Sequence, residues 1–482
     1  MRIVFLTPGT GNFHCGSCLH DEALARALRR LGHEAHIVGL YLPLMMDQRD
    51  AEQGPAVQMG GVNLYLQQKL PWLRYVPLLR RLLDAPALLK LAADRADLTS
   101  PQQLGRMTVE MLRGMDGRTA HELRRMIDHL QHAAHRPGVV MLNNALLLSL
   151  AAPIKDALGC KVACTLQGED TFLDGLPEPW RSDAWAQLRD AAGACDLFLP
   201  VSEYYAGVMR PRLALDPDKV RVVHNGIEVA DFDTFAQQNS RAQTTPEPAH
   251  DPAQGATGGS PARAASQEPA THWRTSRQWH TNHRDEPGES PRTIGYLARL
   301  NETKGVFTLL DAFVALTQEQ DLADMRLALV GAATPHDRRR LDAALAKLPG
   351  KVRQAVSVHA KVDRPRKIEL LHQIDVLSVP TTYGESFGLY VLEANAAGVP
   401  VVQPDHAAFG EVIGATGGGM LYDAEDPAGL TRALAELLRD DARRRALGEA
   451  GRAAVRERFT ADVMARHTLA ALETLCPPAD SN

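Results

Sequence analysis

Cysteine is scarce, with six residues in a chain of 482, too few for the disulfide framework of a small secreted fold. Long apolar runs are missing as well. The first, Ile3 to Leu6, is far shorter than the apolar core of a signal peptide, and the longest, Ala145 to Ile154, falls short of a bilayer span. A surplus of positive charge is also absent: the formal net charge is −5, which argues against a general nucleic-acid binder. These absences leave a reduced, cytoplasmic protein as the expectation. What is present is globular, with 45% hydrophobic and 23% charged residues, and the length of 482 residues calls for two or three domains.

Short, continuous apolar runs alternate with helical patterns. "RIVFLT" reads as a strand, Ser17 to Leu31 as a helix and "AHIVGL" as a second strand; "GVVMLN", "KVACTL" and "DLFLPVS" follow. The rhythm restarts at "RTIGYLA" and runs through "MRLALVG", "VSVHA", "DVLSVP" and "VPVV". Strands that are apolar throughout, separated by helices, indicate parallel sheets covered on both faces. The expected fold class is therefore α/β, as two doubly wound, Rossmann-like parallel-sheet domains in succession.

Between the two halves, residues 237–290 contain no Val, Ile, Leu, Phe or Met. A segment that cannot bury apolar surface cannot offset its chain entropy, so it is expected to be a disordered insertion without chemistry. Its "HWRTSRQWHTNH" patch has three histidines and two tryptophans, and the expectation extends to it. Residues 42–137 form a long excursion in the first half. Within it, "KLPWLRYVPLLRRLLDAPALLKLAA" mixes Leu, Trp and Tyr with Lys69, Arg74, Arg80, Arg81 and Lys90. Such a pattern suits either a helical cap on the domain or peripheral contact with the inner membrane face. Pro71, Pro77 and Pro86 break it into short helices, which favours the cap.

The first strand runs into "PGTGNFHCGSC", a glycine-rich turn whose backbone could approach a phosphate. As a dinucleotide fingerprint it fails, because His14 stands where the third glycine belongs and the second strand ends in Leu40-Tyr41 without an acid. Cys15 and Cys18 make a C-x-x-C at a helix start, yet zinc would need four ligands, and the thiols read as incidental. Cys160 and Cys164 read as small core residues. In "TIGYLARLNETKG", Arg299 and Lys304 lie just beyond a strand's carboxyl end, where open α/β sheets bind ligands, and such a pair of cations suits a diphosphate.

"DVLSVPTTYGESFGLYVLEANAAGVPVV" places Glu385 in a loop and Glu393 in the first two turns of a helix that begins near Gly388. Backbone N–H groups of Phe387, Gly388 and Leu389 would point out of that helix start toward an anion. The two carboxylates would instead accept hydrogen bonds from hydroxyls, one set on a ribose and the other on a sugar. A capping role explains one glutamate, but not the pair together with Gly388 and the Arg299/Lys304 loop.

This Glu385-x7-Glu393 arrangement resembles the E-x7-E signature of retaining glycosyltransferases of family 4, which have the GT-B fold of two Rossmann-like domains facing across a cleft. "PVSEYYAGVM", "VRVVHNGIEVADF", "IGYLARLNETKG", "LALVGAA" and "IDVLSVPTTYGESFGL" occur in the family's order, and "RERFTADVMARHTLAALETL" resembles its C-terminal helix crossing back to the first domain. The resemblance implies an acceptor-side domain over 1–205, a nucleotide-sugar-binding domain over 206–455 and the crossing helix within 456–482. It implies that Arg299 and Lys304 hold the donor's diphosphate and that Glu393 accepts from the ribose. Glu385 and the Phe387–Gly388–Leu389 backbone would contact the transferred sugar and the β-phosphate, while the Gly9–Gly11 loop closes from the other domain. No metal and no cofactor are implied, the nucleotide-diphospho sugar being a substrate and the acceptor a glycan or a lipid-linked group. Where relatives carry a cleft histidine, Gln167 stands here; it is taken with Glu385 as a catalytic candidate, and His14, Glu169 and Asp170 as candidate acceptor contacts. The loop "PDHAAFGEVIGATGGG" departs from the family's Gly-Gly pattern. Two other readings stand beside a transferase: a non-catalytic nucleotide-sugar-binding module, and a sugar-nucleotide epimerase or hydrolase.

Overall fold

A computed structural model describes residues 1–8, 16–40, 101–117, 120–132, 136–235, 291–360 and 362–475. The glycine-rich turn with Gly9, Gly11 and His14, the basic apolar stretch 69–93 and the insertion 237–290 lie outside the described residues, as does Cys15.

Eleven strands form two sheets among the described residues. The first holds β1 (Arg2–Thr7), β2 (Glu34–Gly39), β3 (Val139–Leu142), β4 (Lys161–Leu166) and β5 (Leu197–Pro200). Its order is β2-β1-β3-β4-β5, parallel throughout. The second holds β6 (Thr293–Leu297), β7 (Arg326–Val330), β8 (Val356–His359), β9 (Val376–Leu377), β10 (Val401–Pro404) and β11 (Gly419–Tyr422). Its order is β11-β10-β9-β6-β7-β8, again parallel. β3, β5 and β10 are buried along their whole length, as runs covered by helices on both faces must be. In each sheet the chain reverses direction of winding beside a central strand, β1 in the first and β6 in the second, and ligand crevices form outside the strand ends at such points.

The fold expected from the apolar runs is thus the fold observed. Two details differ. The "DVLSVP" run keeps its ladder only over Val376–Leu377, after which the Gln403 side chain accepts from the Val379 N–H at 3.2 Å. The stretch read as a loop over "PDHAAFGEVIGATGGG" contains a helix, Phe409–Thr416, ended by Gly417 at φ 61°, and leads into β11.

Each unit has its own apolar interior. In the first, one face of the sheet packs with the helices Pro101–Leu112 and Ala120–His132, which bury Val109, Leu112, Met126 and Leu130. The helix Glu203–Leu213 adds Tyr205, Met209 and Leu213 to that core, so the division expected after residue 205 falls inside a helix of the first unit. The opposite face is covered by Gly16–Arg30 and by the last described helix, Ala461–Glu473, whose Met464, Ala465, Leu469 and Leu472 pack with Phe5, Leu24 and Leu28.

Two crossings join the units side by side. Ile227 donates to the Phe459 carbonyl and accepts from the Ala461 N–H, both at 2.9 Å. His224, Phe387 and Phe459 pack around them as tilted rings with centroids 5.9–6.4 Å apart.

Candidate functional site

Two loops at the carboxyl edge of the second sheet converge because glycine lets them. Gly305 (φ 76°) follows Lys304, and a Cβ there would stand 1.8 Å from the Pro380 carbonyl oxygen. Gly388 (φ 85°) turns the loop after β9 into the helix Leu389–Ala396. Both positions need the left-handed backbone that glycine adopts without a steric penalty. The helix start was expected near Gly388, and it is there.

The convergence brings Lys304 Nζ to 2.5 Å from Glu385 Oε2. The same oxygen accepts from Tyr390 Oη at 3.1 Å and Tyr383 Oη at 3.3 Å, and the Lys304 ammonium stands over the Tyr383 ring, 4.8 Å from its centroid. Glu385 is 8% exposed, so the cluster is screened from bulk water. Burial, reinforced by the Glu385 carboxylate, pushes both phenols upward, which keeps them protonated as donors. The N–H groups of Phe387, Gly388 and Leu389 have no acceptor among the described residues. They stand at the positive end of a helix, where an anion is favoured. Arg299 is exposed, and its backbone oxygen accepts from Tyr296 Oη at 2.6 Å.

Glu393 sits one turn into the same helix. Its Oε1 accepts from Lys367 Nζ at 2.6 Å, an ion pair with both side chains largely buried. Lys367 was missed in the sequence. It lies in an ordinary-looking helix, Arg364–Leu371, and nothing in its spacing marks it as Glu393's partner.

The first unit presents a chain of buried polar groups at the ends of its strands. Gln167 Nε2 donates to the Asn143 carbonyl at 2.6 Å, and Ser386 of the second unit donates to the Gln167 carbonyl at 3.2 Å. Gln167 therefore lies at the junction of the units. Glu169 and Asp170 lie beside it. Glu169 is 6% exposed and accepts from the N–H groups of Ala145 and Gln167, each at 2.8 Å, and from Tyr205 Oη at 3.1 Å. Asp170 is 9% exposed and accepts from Tyr205 Oη at 2.9 Å. Burial pushes the Glu169 carboxyl upward against these bonds. Both acids brace the Gln167 loop from inside.

Between the units runs a narrow cleft. His20 and Arg26 of the first helix face Glu228, Arg364, Leu389 and Glu393 across it. Among the described residues no group of three or more His, Cys, Asp or Glu could hold a metal ion. Cys18, Cys160, Cys164 and Cys195 are buried thiols. Burial raises the Cys160 and Cys164 thiols and pushes Cys195 up to about 12, which makes these three poor nucleophiles.

Residues 280–454 match the family of glycosyl transferases group 1, and residues 103–231 match glycosyltransferase family 4. A phosphatidyl-myo-inositol mannosyltransferase of Mycobacterium leprae is 35% identical over 185 residues, covering 38% of this chain and 47% of that protein. A D-inositol 3-phosphate glycosyltransferase of Xylanimonas cellulosilytica is 37% identical over 172 residues, 35% of this chain and 39% of that one. The chain thus spans about half the length, or less, of the curated relatives it matches. Among solved structures, a sucrose-phosphate synthase from Thermosynechococcus elongatus superposes with a TM-score of 0.63 at 16% identity, over 99% of this chain and 100% of that one. Together the two family matches span more than half of the sequence, one on each sheet-bearing unit, and with the E-x7-E pair seated at the edge of the second sheet the chain belongs to the family 4, group 1 glycosyltransferases of GT-B fold.

Proposed function

We propose that this chain is a retaining glycosyltransferase that moves a sugar from a nucleotide-diphospho-sugar donor to a glycan or lipid-linked acceptor, without a metal ion. The observation that carries the reading is the cluster at the edge of the second sheet. Lys304 and Glu385 are in contact, three unbonded N–H groups stand beside them, and Glu393 lies one turn along the same helix. A departing diphosphate needs positive charge and oriented donors, and Lys304, Arg299 and the Phe387–Leu389 amides supply both. Glu393, held by Lys367, accepts from the ribose. Glu385, held by two phenols, accepts from hydroxyls of the sugar as Lys304 turns toward phosphate.

In this mechanism the bond from the anomeric carbon to the phosphate oxygen breaks as the acceptor oxygen attacks from the same face. The acceptor's proton passes to the departing phosphate oxygen, so no protein nucleophile is required. Positioning does most of the work, and Gln167, an amide with no acid–base capacity near neutral pH, contributes by hydrogen bonding. The lipid named in the mycobacterial mannosyltransferase agrees with the lipid-linked option for the acceptor. We place the chain in the cytoplasm, with peripheral contact at the inner membrane face; among the described residues no helix is long and apolar enough to cross a membrane.

Thermal stability of the wild type and of Glu393→Ala with UDP, GDP, ADP and CDP tests the reading. A nucleotide at about a hundred times its dissociation constant adds roughly 2.7 kcal/mol. One nucleotide should stabilise the wild type, and the substitution should abolish the effect. Indifference to all four would overturn the proposal.

A further inference from the structure

The first helix of the chain carries a buried imidazole to which the mechanism above gives no task. His20 is 5% exposed, lies in the second turn of Gly16–Arg30 and lines the cleft opposite Leu389 and Glu393. Its Nδ1 stands 3.0 Å from Asp21 Oδ1. The other Asp21 oxygen accepts from Thr7 Oγ1 at 2.5 Å and from Asn143 Nδ2 at 2.6 Å. Asp21 is 1% exposed, and three donors converge on its carboxylate. Nδ1 must therefore carry a hydrogen, which leaves the neutral ring a lone pair on Nε2. No described residue hydrogen-bonds that nitrogen. An apolar side chain would fill the same space without the cost of burying polar groups.

The groups around the ring narrow the kind of ligand it faces. On its own helix, Glu22 pairs with Arg26 at 2.6 Å. Across the cleft, Arg364 donates to Asp231 at 2.6 Å and to the Glu228 carbonyl at 2.8 Å. Lys367 is bonded to Glu393 Oε1, and the second oxygen of Glu393 has no partner among the described residues. Among the side-chain acceptors on the two walls, His20 Nε2 and Glu393 Oε2, one from each unit, are engaged by no described residue. Acceptors on both walls of one cleft fit a vicinal diol, which brings two donors.

Resting on the reading of this cleft as a nucleotide-sugar site, we propose that His20 Nε2 accepts a hydrogen bond from one ribose hydroxyl of the bound nucleotide while Glu393 accepts from its neighbour. Asp21 is the positioning residue that fixes the ring's tautomer. The ribose then ties the two units together.

Calorimetric titration of the nucleoside diphosphate that stabilises the wild type, and of its 2′-deoxy and 3′-deoxy forms, tests this. Each missing hydroxyl should weaken wild-type binding about three- to tenfold. In His20→Phe the parent nucleotide should bind more weakly by a similar factor. One deoxy penalty should vanish and the other persist, with Glu393→Ala showing the converse. His20→Gln, whose amide oxygen can accept, should recover part of the loss. Two undiminished deoxy penalties in His20→Phe would overturn the proposal. Should that variant not fold, wild-type protein with ¹⁵N-labelled histidine decides. The His20 Nε2 resonance must move with the parent nucleotide and stay in place with one deoxy form, and a resonance indifferent to the parent overturns the inference. A wild type that binds nucleotide but fails either test sinks only the His20 assignment, whereas one that binds none sinks the site reading as well.

Discussion

Lys304 and Glu385 meet at 2.5 Å although 81 residues separate them, and that contact sets the charge balance of the site. Lys304→Ala removes the charge nearest the departing diphosphate and leaves Glu385 with only its two phenols. We expect nucleoside diphosphate release in the presence of acceptor to fall about a hundredfold or more, as a loss of kcat at saturating donor. A change confined to KM would contradict the role. The residues that could be found in the sequence were those whose meaning depends on their neighbours along the chain: Arg299 and Lys304 after a strand, and Glu385 and Glu393 around a helix start. Lys367, Tyr383 and Tyr390 complete the two carboxylate sites but could not be seen, because their roles depend on which loops meet in space. Glu169 and Asp170 show the converse. Two acids after a strand look the same whatever holds them, and the group that holds both is the Tyr205 hydroxyl, 36 and 35 residues away.

Among the elements, the Phe409–Thr416 helix does more than support the sheet. Its Glu411 accepts from the N–H groups of Glu203 and Tyr204, at 2.9 and 3.1 Å, and from His224 Nε2 at 2.5 Å. A carboxylate of the second unit thereby caps a helix of the first. Burial opposes its ionisation, but the bonds from His224 and the two amides outweigh that and hold the carboxyl below the usual range. A depressed carboxyl stabilises the fold above its unfolded value, about 4.3, and that contribution is lost as pH falls through the lower folded value. Glu411→Gln should cost about 1–3 kcal/mol near pH 6, with the gap to the wild type closing toward pH 3. Urea titrations across that range would test it, and a gap independent of pH would refute the latch. This helix was not legible in the sequence, since Gly410, Gly414 and the glycines from 417 to 419 read as loop.

Across the whole molecule, the alternation of apolar runs revealed both sheets, but not how they are joined. The last described helix belongs to the core of the first unit, where burying residues such as Leu469 and Leu472 contributes about 1.5–3 kcal/mol each. A chain ended before Thr460 should expose Phe5, Leu24 and Leu28. We expect it to bind the dye ANS and aggregate while its second sheet stays folded; a monomer with a wild-type melting curve would contradict this packing.

That closing helix also sets a timetable. Arg30 and Asp462 are ion-paired but lie 432 residues apart. At roughly 5–20 residues per second of synthesis, on the order of 20–90 seconds pass between their appearances at the ribosome. Until then that face of the first sheet has only the Gly16–Arg30 helix for cover, and the apolar surface meant for Met464, Leu469 and Leu472 is bare. The nascent chain is therefore a customer for holding chaperones, and slow translation of the second half lengthens its exposure.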